Sequence, residues 1–84
     1  MSYRILILRR AQKELANLPL HSYDRVKRAI LDLALEPRPG HSRKLVSREG
    51  WRIRVGDYRV IYEIDDSEKT ITVLHVGHRR DVYF

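Results

Sequence analysis

The stretch WRIRVGDYRVIYEI, residues 51 to 64, alternates apolar with polar side chains, breaks at Gly56-Asp57 and alternates again. A two-residue Gly-Asp break between alternating runs is a hairpin signal, and it fixes register, because a slip of one residue would turn every side chain to the wrong face. Counting outward from the turn, Val55 pairs with Tyr58, Arg54 with Arg59, Ile53 with Val60, Arg52 with Ile61 and Trp51 with Tyr62. One face of this ribbon carries Trp51, Ile53, Val55, Tyr58, Val60, Tyr62 and Ile64 and is apolar enough to line a core. The other carries Arg52, Arg54 and Arg59. Like charges directly opposite each other across a strand pair are unfavourable, so Arg54 facing Arg59 points to something negative bound between them. A plain solvated basic surface is the alternative.

The remaining segments supply a frame for this ribbon. YRILIL (3 to 8) reads as a short strand, and RRAQKELANLP (9 to 19) as a helix that buries Ala11, Leu15 and Leu18 and closes at Pro19. Ser22 is the N-cap candidate of a second helix with an apolar stripe of Val26, Ala29, Ile30 and Leu33; Leu31 and Leu35 lie off that stripe and are expected to meet the first helix. EPRPGHSRK (36 to 44) reads as a connecting loop. A third strand of the ribbon, near 70 to 76, follows the four residues DSEK and is expected to pair Ile64 with Ile71, Tyr62 with Val73, Val60 with His75, Ile61 with Leu74 and Arg59 with Val76. The expected fold is α+β, a four-stranded, largely antiparallel sheet in the order β-α-α-β-β-β, with the two-helix hairpin packed on one face. Residues 1 to 84 are expected to form a single domain, since a chain of this length has room for one modest core.

Charge narrows the function. The formal net charge is +6, and residues 38 to 59 hold seven Lys/Arg against two Asp/Glu, whereas residues 60 to 84 hold three against five. A basic block of this kind attracts a polyanion, either nucleic acid or an acidic protein. With no cysteine, disulfides and thiolate metal sites are excluded and a reducing, cytoplasmic setting fits. No apolar run reaches the length of a membrane span, so no membrane partner is expected. His21 and His41 lack ligand spacing, so neither a metal nor another cofactor is called for. Nucleophile motifs, glycine-rich phosphate loops and paired carboxylates are missing as well.

The third strand runs back toward the Gly-Asp turn and brings GHRRDVYF (77 to 84) to Arg54 and Arg59, adding His78, Arg79, Arg80 and Tyr83 to the cluster. RNA carries its own nucleophile in the 2'-hydroxyl, so a protein that cleaves it has to align that oxygen, neutralise the phosphate and move protons. Arginines suit the second task and are poor bases. His78 is the imidazole of the cluster and the candidate for proton transfer, with simple exposure as the other reading. Tyr83 could stack on a base or pack the C-terminus, Arg80 could pair with Asp81, and Trp51 and His75 read as core or boundary residues.

LxxLP, the Pro/Gly loop, WRIRVGDYRVIYEID and VGHRRDVY, in this order and spacing, resemble the RelE/ParE toxin superfamily of toxin–antitoxin modules, in particular its RelE-like branch, over nearly the whole chain. The resemblance implies a type II toxin that cuts messenger RNA on the ribosome and is held inactive by an acidic, RelB-like antitoxin. Position by position it implies catalytic roles for Arg52, Arg54, Arg59 and Arg79 and base stacking by Tyr83, with His78 as proton carrier in place of the lysines that Arg52 and Arg54 replace. Arg43, Lys44, Arg48 and Arg80 are then expected to contact messenger or ribosomal RNA. The same superfamily implies two alternatives: a ParE-like inhibitor of DNA gyrase that cleaves nothing, or a degenerate member that only binds.

Overall fold

The computed structural model describes residues 2–46 and 48–80. Its elements are β1 (Arg4–Ile7), α1 (Arg9–Ala16), α2 (Leu20–Asp32), β2 (Arg43–Lys44), β3 (Trp51–Val55), β4 (Tyr58–Asp65) and β5 (Thr70–His78). They build a mixed sheet in the order β1-β5-β4-β3-β2. β1 runs parallel to β5 and the other pairs are antiparallel. The α+β class is as expected, but among the described residues the sheet has five strands, not four. The additional strand, β2, comes from the segment read as loop, whose two residues are too few to show alternation.

Both helices lie on the face predicted for them. Ala11 and Leu15 of α1 and Val26 and Ile30 of α2, with Leu33, bury against Ile53, Val60, Tyr62, Ile71, Val73 and Val76. Pro19 ends one helix and starts the next, because its ring disfavours helix in the residue before it yet suits a helix entrance. It stands at the N-cap position of α2 and its carbonyl accepts the Tyr23 N–H at 2.8 Å. Ser22, expected as the cap, therefore sits inside the first turn. Leu31 and Leu35 do not meet α1; they are 50% and 77% exposed. The stripe of Val26, Ile30 and Leu33 already occupies the buried side of α2.

All five pairs predicted for β3 and β4 are present. Gly56 has a φ of +62° and Asp57 has no positive φ, the pattern of a hairpin turn with glycine at its first central position. The register of β4 on β5 departs from the expected one halfway. Ile64 pairs with Ile71 and Tyr62 with Val73, but a bulge then inserts Leu74, so that Val60 meets Val76, Ile61 meets His75 and Arg59 meets Gly77. The bulge puts an aliphatic side chain, Val76, into the core where a uniform ladder would have placed the His75 imidazole. His75 turns to α1 instead, with Nδ1 2.7 Å from the Glu14 carboxylate, which also accepts the Val76 N–H at 2.9 Å. Burial pushes the Glu14 carboxyl up, but the Val76 N–H, His75 and Arg10 outweigh it and leave it below the ordinary range.

A loop closes over part of the outer face. Leu45 donates its N–H to the Gly50 carbonyl at 3.0 Å, and its side chain covers Ile61. Ile61, expected to be an exposed aliphatic beside the arginines, is only 1% exposed. Gly50 permits this fold-over: its φ is +128°, and a Cβ there would come within 3.0 Å of Leu45 Cδ1.

Tyr62 ties the core to the connecting loop, donating its hydroxyl hydrogen to the Pro37 carbonyl at 2.8 Å. Burial pushes that hydroxyl up to about 12. The folded value lies above the unfolded one of about 10, so this contribution is complete below pH 10 and is lost as pH rises through the folded value. Tyr62→Phe leaves the Pro37 carbonyl unpaired and is expected to cost about 1 kcal/mol at pH 8. Urea denaturation should show the gap between the two proteins narrowing as the pH passes 10.

Candidate functional site

The hairpin register dictates where the arginines go. Arg52 and Arg54 on β3 and Arg59 on β4 project from the face away from the helices, with Arg54 across from Arg59. β5 brings the C-terminal segment to the same end: the Arg79 N–H donates to the Asp57 carbonyl at 2.8 Å, and Arg79 Nε lies 3.9 Å from the Asp57 carboxylate. That ion pair is long and exposed, so it contributes little stability and leaves the Arg79 charge largely uncompensated. Burial first, and then the charges of Arg52, Arg54 and Arg79, hold the Arg59 guanidinium below the usual arginine range. Four guanidinium groups from β3, β4 and the end of β5 thus act on one another at a single place.

Gly77 gives the cluster room. Because of the bulge, the residue across from Arg59 has no side chain, where a uniform ladder would have set Val76. The same bulge moves His78 off the arginine face, where the uniform ladder would have set it: it pairs with Tyr58 on the helix side of the sheet, its ring 5.8 Å from that of Tyr58 in an edge-on arrangement. Its Nδ1 accepts the Arg80 N–H at 3.2 Å, so the neutral ring carries its hydrogen on Nε2.

The expected RNA-contact residues divide. Arg43 pairs with Arg52 across β2 and β3, joining the cluster. Lys44 turns away: its ammonium is 3.2 Å from the Glu49 carboxylate and 5.8 Å from the centre of the Trp51 ring. Trp51 packs on the core, as expected, with Arg38 on its other contact at 5.3 Å. Arg48 belongs to the loop that precedes β3, at the end of that strand remote from the Gly56 turn, and Arg80 is exposed in the turn after β5. Tyr83 lies outside the described residues.

One residue near the cluster escaped sequence reasoning. His41 lines a hollow of about 270 Å³ together with Arg43, Arg52 and Arg54. The β2–β3 register explains its place: with Arg43 opposite Arg52, a continued ladder puts position 41 opposite Arg54. Reading residues 36 to 44 as loop hid that alternation. The far end of the sheet has the opposite character, a hollow of about 650 Å³ whose walls include Glu49, Glu63, Asp65 and Glu68. The net positive charge is therefore concentrated at the Gly56 end, where it directs a polyanion.

Among the described residues, no helix is long and apolar enough to cross a membrane. The family model of the ParE toxin of type II toxin–antitoxin systems, parDE, matches residues 5–83. Toxin RelG of Mycobacterium tuberculosis is 33% identical to this chain over 89 residues, which span 99% of this chain and 98% of that protein. The archaeal RelE–RelB complex from Pyrococcus horikoshii OT3 contains a chain that superimposes with a TM-score of 0.84 at 33% identity, covering 98% of this chain and 100% of that one. The toxin–antitoxin complex RelBE2 of Mycobacterium tuberculosis gives a TM-score of 0.84 at 29% identity, over 94% of this chain and 100% of its counterpart. With the fold and nearly the full length of the chain in agreement, this protein belongs to the RelE/ParE superfamily, the toxins of type II toxin–antitoxin modules.

Proposed function

We propose that this toxin is a ribosome-dependent endoribonuclease that cuts messenger RNA. The observation that carries this reading is the hairpin register, which sets Arg54 directly across from Arg59 with Arg52 two positions along the same strand. A phosphodiester in its cleavage transition state carries the additional negative charge that converging guanidinium groups favour. Arg54, Arg59 and Arg79 hold the scissile phosphate and Arg52 supports them from the next position on β3. The 2'-oxygen attacks phosphorus and the bond to the 5'-oxygen breaks, leaving a 2',3'-cyclic phosphate and a free 5'-hydroxyl. One proton leaves the 2'-oxygen and one arrives at the 5'-oxygen. His78 is the imidazole assigned to carry a proton; to do so its ring has to leave Tyr58 and the Arg80 N–H and swing round the end of β5 to the cluster. Tyr83 stacks on a base, and Arg43, Lys44, Arg48 and Arg80 contact RNA backbone.

The inhibitory partner in this reading is an acidic, RelB-like antitoxin. Two of the structural relatives were solved as toxin–antitoxin complexes, and the basic end of the sheet has the charge to receive such a chain.

Primer extension on translated messenger RNA after expression of the toxin tests the assignment. Discrete cuts inside codons are expected. Intact transcripts with arrested DNA replication would instead establish the gyrase reading, which the match to the ParE family model keeps in view. A second check uses salt. One phosphate held by the arginines implies a slope of roughly −0.7 for log affinity against log salt concentration, and each further backbone phosphate contacted by Arg43, Lys44, Arg48 or Arg80 steepens it by about the same amount. Titration of single-stranded RNA at several salt concentrations measures it, and a slope near zero would remove the phosphate cradle.

A further inference from the structure

The hollow beside His41 does not end at the arginines. His41 also lines a second hollow of about 200 Å³, walled by the apolar side chains of Ala29, Leu33, Pro39 and Ile53 and edged by Asp32 and Glu36. Among the described residues, the first hollow is bordered by His41, Arg43, Arg52 and Arg54. His41, at the edge of β3, is thus common to a cationic hollow on the outer face of the sheet and an apolar hollow with two carboxylates on the helix side. The Glu36 N–H is bonded to the Asp32 carbonyl at 3.1 Å, so the two acidic residues stand one helical turn apart at the end of α2. Both are exposed, so they border the mouth of the hollow.

We propose that the paired hollows are a nucleotide subsite that binds a phosphate among Arg43, Arg52 and Arg54 and a guanine base in the apolar chamber, read by Asp32 and Glu36. The cationic chamber matches a phosphate by charge and the second matches a flat ring by its walls; a cavity of about 150 Å³ already holds a benzene ring, so the larger one here has room for a base entering from its open mouth. The choice of base follows from hydrogen-bond chemistry. Ionised carboxylates only accept, and guanine presents two adjacent donors, N1–H and the N2 amino group, on one edge. Uracil offers a single N–H between two carbonyl oxygens that the carboxylates would repel. As a determinant of which nucleotide sits beside the scissile phosphate, the subsite rests on the reading of the arginine face as an RNA surface. As a binding site it can be tested apart from that reading.

The test is titration of the purified full-length chain with guanosine 5'-monophosphate, uridine 5'-monophosphate and inorganic phosphate, followed by calorimetry and by amide NMR shifts. The guanine nucleotide is expected to bind at least fivefold more tightly than the uridine nucleotide, and its added shifts over phosphate should centre on Ala29, Leu33 and Ile53. In the exposed double variant Asp32→Asn/Glu36→Gln, whose fold is checked by circular dichroism, the ratio of the two affinities should fall to about one. Equal affinities in the wild-type chain, or added shifts that fall elsewhere, would overturn the subsite. A guanine preference in a protein that leaves translated messenger RNA intact would refute the nuclease and keep the subsite. Cleavage with no such preference in binding would do the reverse.

Discussion

Arg59→Met is expected to lower messenger RNA cleavage by 10²- to 10³-fold, on the order seen when one donor to a transition-state anion is removed, while changing the stability of the folded protein little. Arginine 59 carries a charge that burial disfavours and that Arg52, Arg54 and Arg79 disfavour further. Methionine retains much of the aliphatic stem's packing and removes the charge. Relief of like-charge opposition, worth up to about 1 kcal/mol, offsets what the guanidinium's own contacts contribute, so the urea midpoint should change little. Paired measurement of single-turnover cleavage and chemical denaturation checks both halves. A variant that loses activity together with stability would mean that Arg59 holds the sheet together, and the assignment of the cluster to an RNA phosphate would then lose its foundation.

Substitution of His78 by glutamine should produce the second large effect, a loss of about 10²-fold in cleavage with little change in RNA affinity. Glutamine keeps a hydrogen-bonding side chain in the turn after β5 but has no proton to exchange near neutrality. The discriminating readout is the pH–rate profile: the wild-type curve should contain an inflection that the variant lacks. If His78 only supported the turn through the Arg80 N–H, the rate would fall and the profile would keep its shape. If the variant cut at the wild-type rate, another group would have to move the proton.

Local pattern placed Arg59 correctly and His78 wrongly, because the bulge sets His78 opposite Tyr58 on the helix side of the sheet. The Gly56-Asp57 turn and strict alternation were enough to pair Arg54 with Arg59 and to send Trp51, Ile53, Val60 and Tyr62 to the core side, because a two-residue turn leaves one register. The stripes on α1 and α2 were legible for a similar reason: a period of 3.6 shows directly which residues share a face. Leu31 and Leu35 were misjudged because periodicity ranks faces without saying whether a neighbour is within reach. The β4–β5 ladder was right as far as Tyr62 and Val73 and wrong beyond, since the bulge at Leu74 has no local mark; it answers to the fit of Val76 in the core and to the Glu14 carboxylate waiting at the edge of β5. His41 was weighed only as a metal ligand, and its place beside the arginines was missed because a two-residue strand is held by its neighbour rather than by its own alternation.

Short-range rules thus settled the elements of this toxin, the hairpin register and the convergence of Arg52, Arg54 and Arg59, because turn geometry and side-chain alternation act over a few residues. Long-range packing decided the rest: the bulge that clears space beside Arg59, the Leu45 cover over Ile61, and the edge strand that sets His41 against the arginines. Each depends on how segments distant in the chain share volume and satisfy backbone groups, a condition imposed only when the whole sheet has closed on its helices.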